Sequence, residues 1–194
     1  PKLRASNYRP PLRWASVDIE TDPTASQLFS IGVASPADNV VWVIGCQDAD
    51  RASYRLVGVA DETACLNALF DWLALHDPDA LIGWNLVGFD IYQLQRYCDR
   101  LGIACRLGRW ARLPSWREVN GRHYVQIPGR VCLDGIELLK LGGHQFTNFK
   151  LGVVGEELLG RTKLLDGPEE ILDRYHNNKE ELADYNFVDC ELVA

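Results

Sequence analysis

Short apolar runs and alternating apolar and polar positions dominate the first part of the chain, and both patterns predict β-strands. Strands are predicted over residues 14–20, 28–34, 40–44 and, further along, 80–84. Between the third and fourth strands, apolar residues recur at helical spacing and predict an amphipathic helix over residues 62–76. The chain therefore opens with three strands and then alternates helices with strands.

The second half of the chain combines one hairpin with several helices. A helical pattern begins at Asp90, and the dipeptide Asn120-Gly121 between stretches 116–119 and 122–127 is a strong signal for a tight hairpin turn. A last core strand is predicted over 131–134 and a helix over 179–193. This order predicts an α/β fold with a mixed central sheet flanked by helices and an inserted β-hairpin.

Two acidic residues interrupt the first predicted strand. Side chains alternate between the two faces of a strand, so Asp18 and Glu20 point to one face and their apolar neighbours to the other. Charge in an otherwise buried pattern is costly unless it is compensated, and a bound metal ion is a natural compensation.

Three further candidate functional residues lie in other predicted elements. Asp90 comes just after the strand over 80–84, at the carboxyl end where open α/β sheets usually carry their sites. Tyr185 and Asp189 are one turn apart in the predicted helix over 179–193. The phenol and the carboxylate can therefore reach one point.

Each of these features taken alone also has a structural interpretation. An acidic pair can be the solvated face of an edge strand, Asp90 can be a helix N-cap, and Tyr185 with Asp189 can be a core tyrosine beside a surface acid. The occurrence of all three features in one chain is better explained by a metal-binding catalytic site, because four carboxylates can hold two divalent cations. The sequence therefore predicts metal-dependent phosphodiester hydrolysis, the reaction of a nuclease.

The composition agrees with one soluble domain. The chain has 194 residues and a hydrophobic content of 47%, which suffices for a full core. No apolar run approaches membrane-spanning length and no signal peptide precedes the first strand, so a cytoplasmic protein without a membrane partner is expected. The six cysteines lack the spacing of a zinc site and are expected to be reduced thiols. The chain contains no methionine and stops inside a helical pattern, which indicates a fragment of a longer protein.

The charge distribution bears on nucleic-acid binding. A net charge of −7 argues against a general nucleic-acid-binding domain, because phosphate contacts normally require a basic surface. Carboxylates that face metal ions weaken this objection. Around the predicted hairpin, arginines alternate with aromatic residues, and this stretch is interpreted with equal weight as a solvated hairpin or a DNA-facing one.

Three strings of residues resemble, in the right order, the exonuclease motifs of family B DNA polymerases. They are Ser16-Val17-Asp18-Ile19-Glu20-Thr21, Gly83-Trp84-Asn85-Leu86-Val87-Gly88-Phe89-Asp90 and Tyr185-Asn186-Phe187-Val188-Asp189. The resemblance implies a ribonuclease H-like fold of the DnaQ-like exonuclease type and a 3′→5′ proofreading exonuclease. It also implies one exonuclease domain over residues 1–194, with residues 1–13 leading in from a preceding domain. The expected partners are a single-stranded or frayed 3′ end of DNA and the remaining polymerase domains of the same chain.

The resemblance also implies catalytic roles. Two divalent ions, Mg²⁺ or Mn²⁺, should be held by the carboxylates of Asp18, Glu20, Asp90 and Asp189. Tyr185 should orient the attacking water. The four histidines of the chain lie far from Asp189 in sequence, which favours the tyrosine subclass of this exonuclease superfamily.

Substrate contacts are implied for four more residues, which are Thr21, Asn85, Phe89 and Lys163. The same residues are also explained as a strand-end hydroxyl, a loop cap, a core aromatic and a solvated lysine after a helix-ending glycine. One position departs from the family pattern: Phe149-Lys150-Leu151 stands where the family usually has Ser or Thr before Leu. The contact made by Lys150 is therefore left unassigned.

Two other functions remain open at this point. A stand-alone exonuclease that trims RNA would use the same four carboxylates, and activity on RNA against DNA ends would distinguish it. A catalytically silent binding module would have lost at least one of those carboxylates, and none is lost here.

Overall fold

The structure is a computed structural model that describes residues 4–7, 9–161, 163 and 167–194. Residues 1–3 and 8 of the predicted lead segment lie outside the described residues. Thr162 and residues 164–166, on either side of Lys163, also lie outside the described residues.

The described strands fall into one large sheet and one hairpin. They are β1 (Trp14–Thr21), β2 (Leu28–Ala34), β3 (Val40–Ile44), β4 (Ala49–Asp50), β5 (Arg55–Val59), β6 (Ala80–Gly83), β7 (Ser115–Val119), β8 (Arg122–Gln126) and β9 (Val131–Asp134). The large sheet has 7 strands in the order β4-β5-β3-β2-β1-β6-β9. It is mixed: β1 runs antiparallel to β2 but parallel to β6, and β6 runs parallel to β9.

Helices flank this sheet on both faces. They are α1 (Glu62–His76), α2 (Asp90–Leu101), α3 (Gly135–Leu141), α4 (Leu151–Leu159), α5 (Pro168–Asn177) and α6 (Lys179–Val193), with a short 3-10 helix over Arg109–Ala111. The predicted α/β class, with a mixed central sheet flanked by helices, is confirmed. The bounds predicted for α1, α6, β2, β3 and β9 agree with the structure.

The sequence prediction missed two strands, β4 and β5. β5 pairs in parallel with β3, and β4 covers only two residues on its outer side. Arg55 is exposed and Gly58 has no side chain, so the stretch shows no clean alternation. Its strand conformation depends on pairing with β3, which the local sequence does not reveal.

Alternation along the central strands divides the core into two layers. The side chains of Val40, Trp42 and Ile44 belong to the cluster that includes α1 and α2, whereas Val41 and Val43 pack with α6. β1 contributes its apolar residues to the first cluster, which leaves its other face, with Asp18 and Glu20, beneath α6. The sheet therefore carries the acidic pair on the side covered by α6.

The hairpin β7–β8 forms at the predicted turn. Asn120 and Gly121 both have positive φ, 51° and 74°, as a two-residue hairpin turn of this handedness requires. The hairpin is separate from the large sheet and packs on α2, where the His123 ring stacks on Tyr92 with centroids 4.2 Å apart. The inserted hairpin is confirmed.

Two compositional expectations can be compared with the structure. All six cysteines are free, and four of them are buried. Within the described ranges, no helix is both long and apolar enough to span a membrane.

Candidate active site

β1 places Asp18 and Glu20 on the same face of the sheet, as the alternation predicted. In the antiparallel register with β2, Asp18 lies opposite Gly32 and Glu20 opposite Ser30. Directly opposed residues share a face, so Gly32, which has no side chain, and the small side chain of Ser30 stand beside the acids. Glu20 is buried and Asp18 is partly buried.

Gly32 allows α6 to pack close to this face. A Cβ at that position would lie 2.9 Å from Cys190 Sγ and 3.0 Å from Asn186 Oδ1, closer than nearly all real Cβ contacts. The absence of a side chain at Gly32 therefore brings the helix within hydrogen-bonding reach of Asp18.

α6 presents Tyr185 and Asp189 to the same face. The helix begins after Asn178, whose side chain caps the backbone N–H of Glu181. Asp18, Glu20 and Asp189 each have one carboxylate oxygen that lies within 4.8 Å of the corresponding oxygens of the other two residues. Three of the four predicted carboxylates thus converge.

Asp90 stands beside this group rather than inside it. It is the first residue of α2, and its N-cap position is taken by Phe89, so Asp90 is not an N-cap. Its Oδ1 accepts a hydrogen bond of 3.1 Å from the backbone N–H of Ile19, between the two acids of β1. This bond orients one oxygen of Asp90 towards the strand, next to Asp18.

Lys163 supplies positive charge to the cluster. Its Nζ contacts Asp189 Oδ2 and donates a hydrogen bond of 2.8 Å to the Tyr185 hydroxyl. Burial opposes the charged form of this lysine, but the carboxylates of Asp189 and Asp18 outweigh it and raise the pKa of the ammonium. Lys163 is therefore a charged member of the site and not a solvated lysine.

Burial raises the pKa of all four acids, and repulsion between carboxylates adds to it for Asp18, Glu20 and Asp90. Burial and the Asp189 carboxylate raise the pKa of Asp18 to about 7. Burial and the Asp18 carboxylate raise the pKa of Glu20 and of Asp90 well above their ordinary values. Burial also raises the pKa of Asp189, although Lys163 opposes the shift. These carboxylates would ionise more readily with a cation among them.

Tyr185 is a hydrogen-bonding group in this site and not a base. Burial, followed by the charges of Glu20 and Asp189, raises the pKa of its phenol above the ordinary value. The hydroxyl therefore stays protonated at neutral pH, and its oxygen accepts from Lys163.

The residues predicted to contact substrate line the same cleft. Thr21, Asn85 and Phe89 form its walls together with the acidic cluster. The Thr21 hydroxyl donates to the backbone carbonyl of Asp22 at 2.9 Å. Asn85 has a φ of 58° and is exposed, a conformation that asparagine tolerates better than most residues. Their placement agrees with the prediction, and their contact with substrate stays a prediction.

A second, larger cleft of about 1240 Å³ continues from the first and shares Asp18, Asn85, Lys163 and Tyr185 with it. Trp84 lines both regions and donates from Nε1 to the backbone carbonyl of Phe149 at 2.9 Å. Lys150, whose contact was left unassigned, lines this larger cleft.

Sequence reasoning missed Asn186 and Ser30 as members of the site. Asn186 donates from Nδ2 to Asp18 Oδ2 at 2.6 Å and accepts from Ser30 Oγ at 3.0 Å. The available sequence signal was that Asn186 is a polar residue between the aromatic residues Tyr185 and Phe187.

The chain belongs to the family of exonuclease domains of family B DNA polymerases. A family model described as "DNA polymerase family B, exonuclease domain" matches residues 1–142, which is more than half of the chain. This result confirms the class predicted from the three motifs, and with it an exonuclease domain.

The chain is similar to complete DNA polymerases over part of their length. It is 41% identical to DNA polymerase II of Escherichia coli (strain K12) in an alignment that covers 97% of this chain and 25% of that protein. It is 30% identical to a DNA polymerase of Thermococcus kodakarensis over 60% of the chain and 7% of that protein. With DNA polymerase 1 of Pyrococcus abyssi, 27% identity extends over 94% of the chain and 24% of the relative. The chain thus spans about a quarter or less of these relatives.

Proposed function

We propose that this chain is the 3′→5′ proofreading exonuclease domain of a longer DNA polymerase and that it uses two divalent ions, Mg²⁺ or Mn²⁺. The observation that carries the proposal is the convergence of Asp18, Glu20 and Asp189 beside Tyr185 and Lys163. The proposed substrate is the single-stranded or frayed 3′ end of DNA. The proposed partners are the polymerase domains that its relatives contain beyond the matched quarter.

The topology supports a ribonuclease H-like fold of the DnaQ-like type. Three antiparallel strands, β3-β2-β1, continue into the parallel strands β6 and β9, and the first strand carries the leading acidic pair. We propose that residues 1–194 form one exonuclease domain and that residues 1–13 lead in from a preceding domain.

The residues fit divalent cations. Asp189 Oδ1 is buried and has no hydrogen-bond partner among the described residues, although a buried carboxylate oxygen normally has one. Carboxylate oxygens are the ligands that Mg²⁺ and Mn²⁺ prefer. Asp18, Glu20 and Asp189 would hold the ions, with Asp90 contributing from the side. When bound, the ions would polarise the phosphate and lower the pKa of the attacking water.

The chain's own residues position the substrate. The Tyr185 hydroxyl, fixed by Lys163 and protonated at neutral pH, holds the water in line with the scissile bond. The ammonium of Lys163 lies where it can also neutralise the phosphate. Thr21, Asn85 and Phe89 hold the terminal nucleotide. Water attacks phosphorus and loses a proton, the bond to the 3′ oxygen of the preceding nucleotide breaks, and that oxygen takes up a proton as the new 3′ hydroxyl. A nucleoside 5′-monophosphate leaves.

Strand polarity tests this proposal. Single-stranded DNA labelled at the 5′ end should yield a ladder of shortened strands in the presence of Mn²⁺, and DNA labelled at the 3′ end should release labelled mononucleotide first. Single strands should be preferred, because the terminal base must leave the stack to reach the acids. Cleavage of circular single strands, or mononucleotides released first from 5′ ends, would contradict the proposal, and preference for RNA would favour a stand-alone RNA-trimming enzyme.

Metal binding should stabilise the fold. Cations that bind only the folded state at 100 times their dissociation constant contribute about 2.7 kcal/mol. For a chain of this size, that contribution raises the melting temperature by roughly 5 to 10 °C. Differential scanning calorimetry with Mn²⁺ and with chelator checks this. Asp18→Ala should show a much smaller shift, and an equal shift in both proteins would place the stabilising ion elsewhere.

Tyr185→Phe separates positioning of water from metal binding. The substitution keeps the ring and deletes the hydroxyl, so Mn²⁺ affinity should not change. The single-turnover rate should fall by about 10² to 10⁴, the usual range for such positioning groups. Tyr175→Phe is the matched control, because Tyr175 is a buried phenol on α5 whose ring stacks on Phe29. An unchanged rate in Tyr185→Phe would remove Tyr185 from the catalytic group.

A further inference from the structure

Asp18 is held by a side chain that none of the predicted roles includes. Asn186 is completely buried on α6, and its Nδ2 donates to Asp18 Oδ2 at 2.6 Å. An ionised carboxylate only accepts hydrogen bonds, so the amide must turn its NH₂ group towards Asp18. This requirement leaves the amide oxygen of Asn186 facing β2.

Ser30 bonds to the amide oxygen of Asn186 and completes a chain of hydrogen bonds. It is also completely buried, and its Oγ donates to Asn186 Oδ1 at 3.0 Å. The hydroxyl thus bonds to the amide oxygen in the orientation that Asp18 needs and helps to hold the amide in place. Ser30, Asn186 and Asp18 thus link β2, α6 and β1 in one row.

The fold around this row leaves little freedom for the amide. The backbone of Gly32 lies directly under Asn186, which sits 3.0 Å from the position of a Cβ there. Tyr185 and Asp189 of the same helix line the cleft. The amide is therefore fixed by packing as well as by its two hydrogen bonds.

We infer that Asn186, oriented by Ser30, is a positioning residue that fixes the Asp18 carboxylate for metal binding. The inference rests on the proposed function. Outer partners of metal ligands orient those ligands, and their loss typically costs about 10- to 100-fold in metal affinity or activity. Among the described carboxylates, Asn186 donates a hydrogen bond to Asp18 only, so its contribution should appear in metal affinity and turnover and not in the binding of DNA.

The main test is Asn186→Leu, which has similar size and no hydrogen bonds. We expect the Mn²⁺ affinity, measured by titration calorimetry, and the kcat on single-stranded DNA to fall by about 10- to 100-fold, while KM for DNA is unchanged. Ser30→Ala should lower both quantities by about fivefold, the equivalent of one neutral hydrogen bond. In the double variant, Ser30→Ala should add nothing to Asn186→Leu, because both act through the same amide.

Phe187→Leu is the matched control for helix packing. Phe187 is the next residue on α6 and packs in the cluster with Val41 and Val43, where its ring stacks on Tyr54 at 4.6 Å. It should lower the melting temperature and leave the Mn²⁺ affinity of the folded protein unchanged. A purely structural role for Asn186 predicts the same behaviour for Asn186→Leu.

The outcomes separate this inference from the proposed function. Wild-type Mn²⁺ affinity and kcat retained in Asn186→Leu would overturn the inference while the proposed function stands. If Asn186→Leu does not fold, Ser30→Ala decides, and wild-type values in that variant would overturn the inference. Failure of the wild-type chain to bind Mn²⁺ would instead overturn the proposed function.

Discussion

Asp18→Ala should abolish exonuclease activity and leave the fold intact. Asp18 stands between Glu20, Asp189 and Asp90, and its charge influences the pKa of Glu20 and of Asp90. Groups that act as one catalytic unit lose about 10⁴-fold or more in rate when one member is removed. We expect a loss of that size in single-turnover hydrolysis of single-stranded DNA.

The fold should survive because two effects oppose each other. Asp18→Ala leaves the buried Nδ2 of Asn186 without its acceptor, which is destabilising. It also removes a carboxylate that burial and Asp189 disfavour in its charged form. Asp50→Ala provides the control, because Asp50 is an exposed acid at the far edge of the same sheet. Near-wild-type activity in folded Asp18→Ala would refute the assignment of the site.

Asp189→Asn should remove the reaction almost entirely through the loss of one charge. The substitution keeps the shape of the side chain but takes a carboxylate from the converging group and an ion-pair partner from Lys163. Because loss of an outer partner already costs about 10- to 100-fold, loss of a ligand should exceed about 100-fold in rate. Calorimetric titration should show weaker Mn²⁺ binding, in contrast to Tyr185→Phe.

The same helix offers a matched control for this charge change. Asp184 lies on α6 as well, but its carboxylate binds Arg51 and accepts a 2.6 Å hydrogen bond from the Tyr54 hydroxyl, outside the cleft. Asp184→Asn should lower the melting temperature and leave kcat and Mn²⁺ affinity unchanged. Equal loss of kcat in both variants would mean that α6 docking, and not the Asp189 charge, limits the reaction.

The sequence by itself determined the parts of the site that depend on a repeating local geometry. A strand repeats every two residues, so Asp18 and Glu20 had to share a face. A helix repeats every 3.6 residues, so Tyr185 and Asp189 had to lie one turn apart. The hairpin turn followed from Asn120-Gly121, whose φ angles few other dipeptides adopt.

Only the tertiary structure decided which side chains meet across the chain. Asn186 bonds to Ser30 and to Asp18 at separations of 156 and 168 residues, and neither contact has a local signal. The pairing of β5 with β3 was hidden for the same reason. Asp90 also stands beside the converging carboxylates because its Oδ1 accepts from Ile19. These contacts depend on how separate elements pack, and local periodicity carries no information about the distance between elements.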